Sequence, residues 1–144
     1  MNKKTLSKRL QNKADRLCYE YTFKRDGGVC QVRRFFPQIA IAHTSVKQSD
    51  HCFSRSIKEI FLNVANRTLI CSACNAAKGS GKISATKRDA ITIAVHEIVK
   101  RREGIDAYNR LLEIAQRKCA FKDWGNPVWL EMQIDILKGM IDGQ

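Results

Sequence analysis

Residues 50–78 read DHCFSRSIKEIFLNVANRTLICSACNAAK, and most of what the chain can be turns on this stretch. It opens on Asp50-His51, passes Asn66, and closes on Cys71-x-x-Cys74-Asn75 with Lys78 three residues later. Neighbouring residues on an extended chain point to opposite sides, so Asp50 and His51 can serve two adjacent groups. A neutral imidazole takes a proton from water near pH 7, because its ordinary pKa is about 6.5. A hard divalent cation, Mg2+ or Mn2+, prefers carboxylate and amide oxygens, which Asp50 and Asn75 supply. An activated water and a charge-stabilising cation are what phosphodiester hydrolysis needs near neutral pH. His51 is therefore the candidate base, and Asp50 and Asn75 are the candidate metal ligands. Asn66, a neutral amide, can fix the His51 ring or its loop by hydrogen bonding.

Outward from this stretch the pattern is mostly helical. On the N-terminal side, Thr5 to Arg25 carries Leu6, Leu10, Leu17 and Tyr21 as an apolar stripe among many Lys and Arg. Asp26-Gly27-Gly28 stops it. Val29 to Val46 reads as irregular and strand-like, with Ile39, Ile41 and Thr44-Ser45-Val46 extended, and Pro37 excludes a central strand there. Asp50-His51 then falls near the end of a strand or in the loop after it. Ser56 is placed to cap a short helix through Phe61, with Glu59 at the capping-box position. Asn66 to Ile70 is the returning segment, Cys71 to Lys78 begins a helix, and Gly79-Ser80-Gly81 ends the unit.

On the C-terminal side, Thr86 to Arg102 has Ile91, Ala94, Val95 and Ile98 at helical spacing, and Gly104 follows as its cap. Asp106 to Lys118 is a second helix, and Pro127 opens a third that runs from Trp129 to Ile141. Trp124 and Trp129 are expected to help close the core. His96 has no evident partner in sequence and reads as structural or exposed. The fold class expected is α+β and mostly helical, in one domain over 1–144. It divides into a basic helix (1–28), a central unit (29–81) and a helical extension (82–144).

Composition narrows the function. Lys and Arg total 26 against 14 acids, a formal net charge of +12. A surface so basic attracts polyanions at long range, which makes DNA or RNA the natural partner. Lys8, Arg9, Lys13, Arg55 and Lys78 are the candidate nucleic-acid contacts. No apolar run approaches the ~20 residues a membrane span requires, and MNKKTLSKRL has no apolar segment behind its charges. A cytoplasmic location is expected, with the six cysteines reduced, buried or holding metal.

The ordered set Asp50-His51, Asn66, Asn75 resembles the HNH nucleases. In those families the acid of the Asp-His pair binds metal, the His is the general base, a middle Asn orients it and a last Asn or His on a helix completes the metal site. The resemblance implies a ββα-metal unit hydrolysing DNA with Mg2+ or Mn2+. The nine-residue step from Asn66 to Asn75, with Lys78 beyond, is similar to the HNH domain of RNA-guided CRISPR nucleases, and it favours Asn66 over Asn63 as the middle Asn. ADRLCYEYTFKRDGGVCQ, HCFSRSIKEIF and NRTLICSACN look like segments of the phage NinG (Rap-type) recombination nucleases, over roughly residues 14 to 80. That likeness implies a nicking or structure-selective enzyme acting on duplex or branched DNA.

Relatives of this kind hold a structural zinc with two Cys-x-x-Cys pairs. Here Cys71 and Cys74 form one pair, but the other reads Cys30-Gln31-Val32-Arg33, and arginine cannot ligate zinc. Three thiols leave a tetrahedral site one ligand short. His43, Cys18 and Cys52 are the residues able to complete it, with His43 the first choice; otherwise the thiols pack as small buried hydrophobes. Taken singly, His51 reads as a surface histidine, and Asn66 and Asn75 as turn and helix-end residues. A Cys-His protease does not account for the Asn spacing or the charge. The rival reading is a non-catalytic, zinc-knuckle-like binder of nucleic acid.

Overall fold

A computed structural model of the chain describes residues 1–79, 84–117 and 119–144. The first helix, α1 (Lys3–Arg25), begins where the Asn2 side chain accepts the Thr5 N–H at 2.8 Å, an N-cap that satisfies one orphan donor. Its buried residues are Ser7, Ala14, Cys18 and Thr22, small side chains on one face. Against that face lies the last helix, α6 (Pro127–Asp142), which buries Leu130, Ile134, Leu137 and Ile141. Ser7 Oγ donates to the Gly125 carbonyl at 2.7 Å and Gln11 Nε2 to the Trp124 carbonyl at 2.9 Å, fixing the entry of α6. Trp124 and Trp129 pack half-buried on this cluster.

Gly27 and Gly28 take φ of 67° and 69°, the left-handed conformation that ends α1 where the sequence places its stop. The strand-like reading of the next segment is overturned. Residues Gln31–Phe35 form a short helix, α2, and the chain from Phe36 to Ser45 has no regular structure. Gln31 Nε2 donates to the Asp26 and Val29 carbonyls at 2.9 and 2.8 Å, winding the chain tightly just where Cys30 caps α2. Ile39 and Ile41 do pack on the core, but they have no strand to pair with.

Among the described residues the sheet is a single antiparallel pair, β1 (Lys47–His51) and β2 (Arg67–Cys71). The register sets Asp50 opposite Thr68 and His51 opposite Arg67. All five β2 residues are buried. Between the strands, the helix expected from Ser56 to Phe61 is only a 3-10 turn, Lys58–Ile60. Ser56 does not cap it: its hydroxyl lies 2.8 Å from that of Ser54, and Glu59 pairs with Arg117. Ile60 belongs to one apolar cluster while Phe61 and Leu62 belong to the other, so this turn joins the two.

The helix α3 (Ser72–Gly79) leaves β2 directly. Residues 80 to 83, including the expected Ser80-Gly81 terminator, lie outside the described residues, as does Lys118. The helix α4 (Ala85–Glu103) is capped by Ser84 and ends at Gly104, with φ 86°, before α5 (Ile105–Arg117). Together α2, β2, α3, α4 and α5 enclose the larger cluster, with Val32, Ile70, Ile91, Val95, Val99 and Leu111 among its members. Arg25 and Arg102 donate to the same Arg67 carbonyl at 2.7 and 2.9 Å, and also to Val64 and Ala65. Two helices are thereby tied to the start of β2. The molecule is mostly helical with a two-stranded antiparallel sheet, an α+β arrangement. Among the described residues, no helix is long and apolar enough to cross a membrane.

Candidate metal centre and catalytic pocket

Four segments meet at the cysteine cluster. Cys30 stands at the start of α2, Cys71 ends β2, Cys74 lies in the first turn of α3, and His43 comes from the irregular segment. Their ligand atoms all lie within 4.8 Å of one another. Cys30 and Cys74 sulfurs are 3.9 Å apart, and His43 Nδ1 is 3.4 and 3.5 Å from the sulfurs of Cys71 and Cys74. Tetrahedral zinc with Zn–S of about 2.3 Å and Zn–N of about 2.0–2.1 Å requires S–S edges near ~3.8 Å and N–S edges near ~3.6 Å. The four residues are placed so that they could hold a metal ion, with spacing compatible with zinc and His43 in the fourth place. Cys18 is in the other core, donating to the Leu62 carbonyl, and Cys52 lies beside His96.

The protons of the cluster agree with this. The hydrogen bond from Cys74 draws the Cys30 thiol down to about 4, with help from backbone N–H groups of Arg33 and Cys71. Arg33, exposed and unable to ligate, serves through its main chain. Cys74 is raised, since it supplies that hydrogen bond and its own ionisation would set two anions together. Burial opposes the Cys71 thiolate, yet N–H groups of Thr44 and Cys74 and the His43 ring outweigh it and lower its thiol. Cys74 thus keeps its proton beside two acidified thiols, and a divalent cation would displace that proton, which is the chemistry of a structural zinc donor set.

Beside this cluster, β1 and α3 form the second centre. Gln48 and Asp50 share one face of β1, by the alternation of a strand, and meet Asn75 and Lys78, one turn apart on α3. Asn75 Nδ2 donates to Gln48 Oε1 at 2.6 Å, and Lys78 Nζ donates to Asp50 Oδ2 at 2.6 Å and to the His51 carbonyl at 2.9 Å. An amide whose N–H is committed to Gln48 keeps its carbonyl oxygen for a cation. Asp50, His51, Asn75 and Lys78 line one pocket of about 240 Å³ with Arg55 and Gly79. Burial raises the Asp50 carboxyl, with the Lys78 ammonium acting against that rise.

His51 projects from the other face of β1. Its Nε2 lies 3.2 Å from the Phe61 carbonyl and its ring 4.7 Å from the Phe61 ring. A carbonyl only accepts, so Nε2 carries the proton and Nδ1 keeps the lone pair. Burial, then the charge of Arg67, pushes the imidazole down to about 3, so it is neutral at physiological pH. Asn66 is fully buried and does not reach the ring; it fixes the loop instead. It accepts the Phe53 N–H at 2.8 Å and donates to the Phe53 and Ile60 carbonyls at 3.2 and 3.4 Å. Asn63 is exposed and caps a 3-10 turn.

The basic residues divide. Lys78, expected at the nucleic-acid surface, is engaged by Asp50 and the His51 carbonyl. Lys8, Arg9, Lys13 and Arg55 are exposed. Arg9, Lys13 and Arg16 line one hollow along α1, and Arg16 continues into a groove with Lys47 and Arg55. Arg55 also lines the Asp50–His51 pocket, so a chain of cations runs from α1 to it. His96 is structural, but it does have partners: Nδ1 is 2.8 Å from the Tyr108 hydroxyl and 3.3 Å from Cys52 Sγ. Sequence reasoning overlooked Gln48 and Arg67. A charge in the apolar run before Cys71 was the available signal for Arg67. Comparison of the chain with protein-family models, with curated proteins and with solved structures found no match.

Proposed function

We propose that the protein is a divalent-metal-dependent endonuclease of the HNH, ββα-metal kind, acting on DNA. The observation that carries this reading is the convergence of Asp50, His51 and Asn75 on one pocket, beside a Cys3His cluster and at the end of a basic groove. His51 Nδ1 accepts the proton of the attacking water and passes it on to solvent, since an imidazole pushed down to about 3 does not retain it. The water oxygen bonds to phosphorus as the bond from phosphorus to the 3′ oxygen breaks, and the leaving oxygen gains a proton from solvent. Asp50 and the Asn75 carbonyl oxygen are the residues that would hold Mg2+ or Mn2+. Two protein oxygens suit a cation that retains several waters. When bound, the cation supplies charge stabilisation at the phosphate and the leaving oxygen. The Cys30, His43, Cys71 and Cys74 set would hold zinc and brace the loop, β2 and α3 against one another.

Arg55 and the α1 cations hold the phosphate backbone without reading bases. The test is incubation of the purified protein with supercoiled plasmid and branched DNA, with Mg2+ or Mn2+ and then with EDTA. Nicking that needs the metal and stops on chelation is expected. One observation favours the rival, a zinc-braced nucleic-acid binder: Lys78 already neutralises Asp50. Tight DNA binding with no cleavage under any metal would select that reading.

A further inference from the structure

A buried charge opens β2, at the end pair of the sheet. Arg67 is 2% exposed, and a guanidinium so buried must be paired and fully hydrogen-bonded. Asp15 on α1 supplies the counter-charge, 2.8 Å from Nη2. Most of the rest of the fork goes to one atom: Nε and Nη2 donate to the Phe61 carbonyl at 3.1 and 2.8 Å, while Nη1 donates to Ser49 Oγ at 3.5 Å. That oxygen is the one that His51 Nε2 approaches at 3.2 Å. His51 and Arg67 are direct partners across the strand pair, so both side chains rise from the same face. The Phe61 ring is near both, its centroid 4.7 Å from that of the imidazole and 4.9 Å from the guanidinium carbon.

We infer that Arg67 is a positioning residue for His51: its planar fork fixes the Phe61 carbonyl, and that carbonyl holds the imidazole in the Nε2–H tautomer with Nδ1 free. Counter-charge alone does not require this arrangement, since Asp15 could be satisfied without the fork on Phe61. A lysine would supply the charge as a single mobile point and could not hold the carbonyl in a plane. Fixing which imidazole nitrogen carries the lone pair is a task distinct from supplying the base. The use of that lone pair rests on the nuclease reading above; the tautomer itself rests on geometry alone.

The chain has three histidines, so long-range proton–nitrogen correlation on histidine-labelled protein resolves each ring. Wild-type His51 is expected as the Nε2–H tautomer. Arg67→Lys is expected to show mixed or inverted tautomers and a kcat on plasmid lower by on the order of 10²-fold, with KM within about twofold. If Arg67→Lys does not fold, Asp15→Asn removes the counter-charge at a 44% exposed side chain and should give the same change in weaker form. An Nδ1–H tautomer in the wild type overturns the inference. So does a folded variant whose tautomer or kcat is unchanged. A wild-type protein with the expected tautomer that cleaves no DNA overturns the nuclease reading instead, and leaves the positioning of the ring standing.

Discussion

His51 is held by three contacts of different kinds: a carbonyl on Nε2, an aromatic ring on its face, and burial beside a cation that keeps it uncharged. None of them uses Nδ1, the atom the proposed chemistry needs. His51→Ala is therefore expected to lower cleavage of plasmid by ~10²-fold or more, the usual worth of a general base. DNA affinity, read by fluorescence anisotropy, should stay within about twofold, because the base acts on water and not on phosphate. Equal cleavage by mutant and wild type would remove His51 from the mechanism. The sequence supplied the candidates here but not their contacts. Asn66 stands at the right distance along the chain to steady either the ring or the loop. Only the fold decides for the loop, because the Phe53 backbone comes closer than the imidazole does.

At the scale of elements, the cysteine cluster joins the start of α2, an irregular segment, the end of β2 and the start of α3. Metal analysis of protein prepared without chelator should find about one zinc per chain, as a closed Cys3His set requires. Cys71→Ser should lose that zinc and melt at a lower temperature, because metal binding at such a site is folding free energy. A metal-free protein of undiminished stability would make these thiols core residues only. Much of this level was legible beforehand. Helix caps and apolar spacing marked α1, α4, α5 and α6, and the Cys71–Cys74 pair marked the turn into α3. The α2 helix was not legible, since Val32 and Phe35 favour strand and only the Gln31 contacts with Asp26 and Val29 explain the winding. His43 could be named as a ligand, but no pattern in the chain required it over Cys18 or Cys52. Its approach depends on an irregular path with no periodicity.

Across the whole molecule, charge and protons set the behaviour. Each neutralised phosphate releases counterions, so log affinity should fall with log salt by about 0.9 per contact on duplex DNA. Replacing Lys8, Arg9 and Lys13 together with Ala should flatten that slope by up to three contacts' worth and weaken binding alike on unrelated sequences. An unchanged slope would make α1 a packing element only. Stability should also depend on acid. His51 is pushed down to about 3 in the fold, so as pH falls below its ordinary 6.5 the unfolded chain takes up the proton first. His96 is lowered by burial in the same sense. Urea midpoints should fall between pH 7 and pH 5, with a smaller fall in His51→Gln. Asp50, raised by burial, acts in the opposite direction nearer the carboxylate range.

The packing of α1 on α6 has a consequence for synthesis. The first helix leaves the ribosome before every residue of the larger apolar cluster, and its partner α6 follows every other described element. At roughly 5–20 residues per second, α1 waits on the order of ten seconds with Ala14 and Cys18 uncovered beside its basic face. A nascent chain in that state presents both an apolar groove and cations to whatever is nearby, nucleic acid included. A fragment ending at Arg117 keeps the four cluster ligands but lacks the cover for α1. It is expected to bind a hydrophobic dye and DNA without cooperative melting of α1, whereas the full chain binds DNA and excludes the dye.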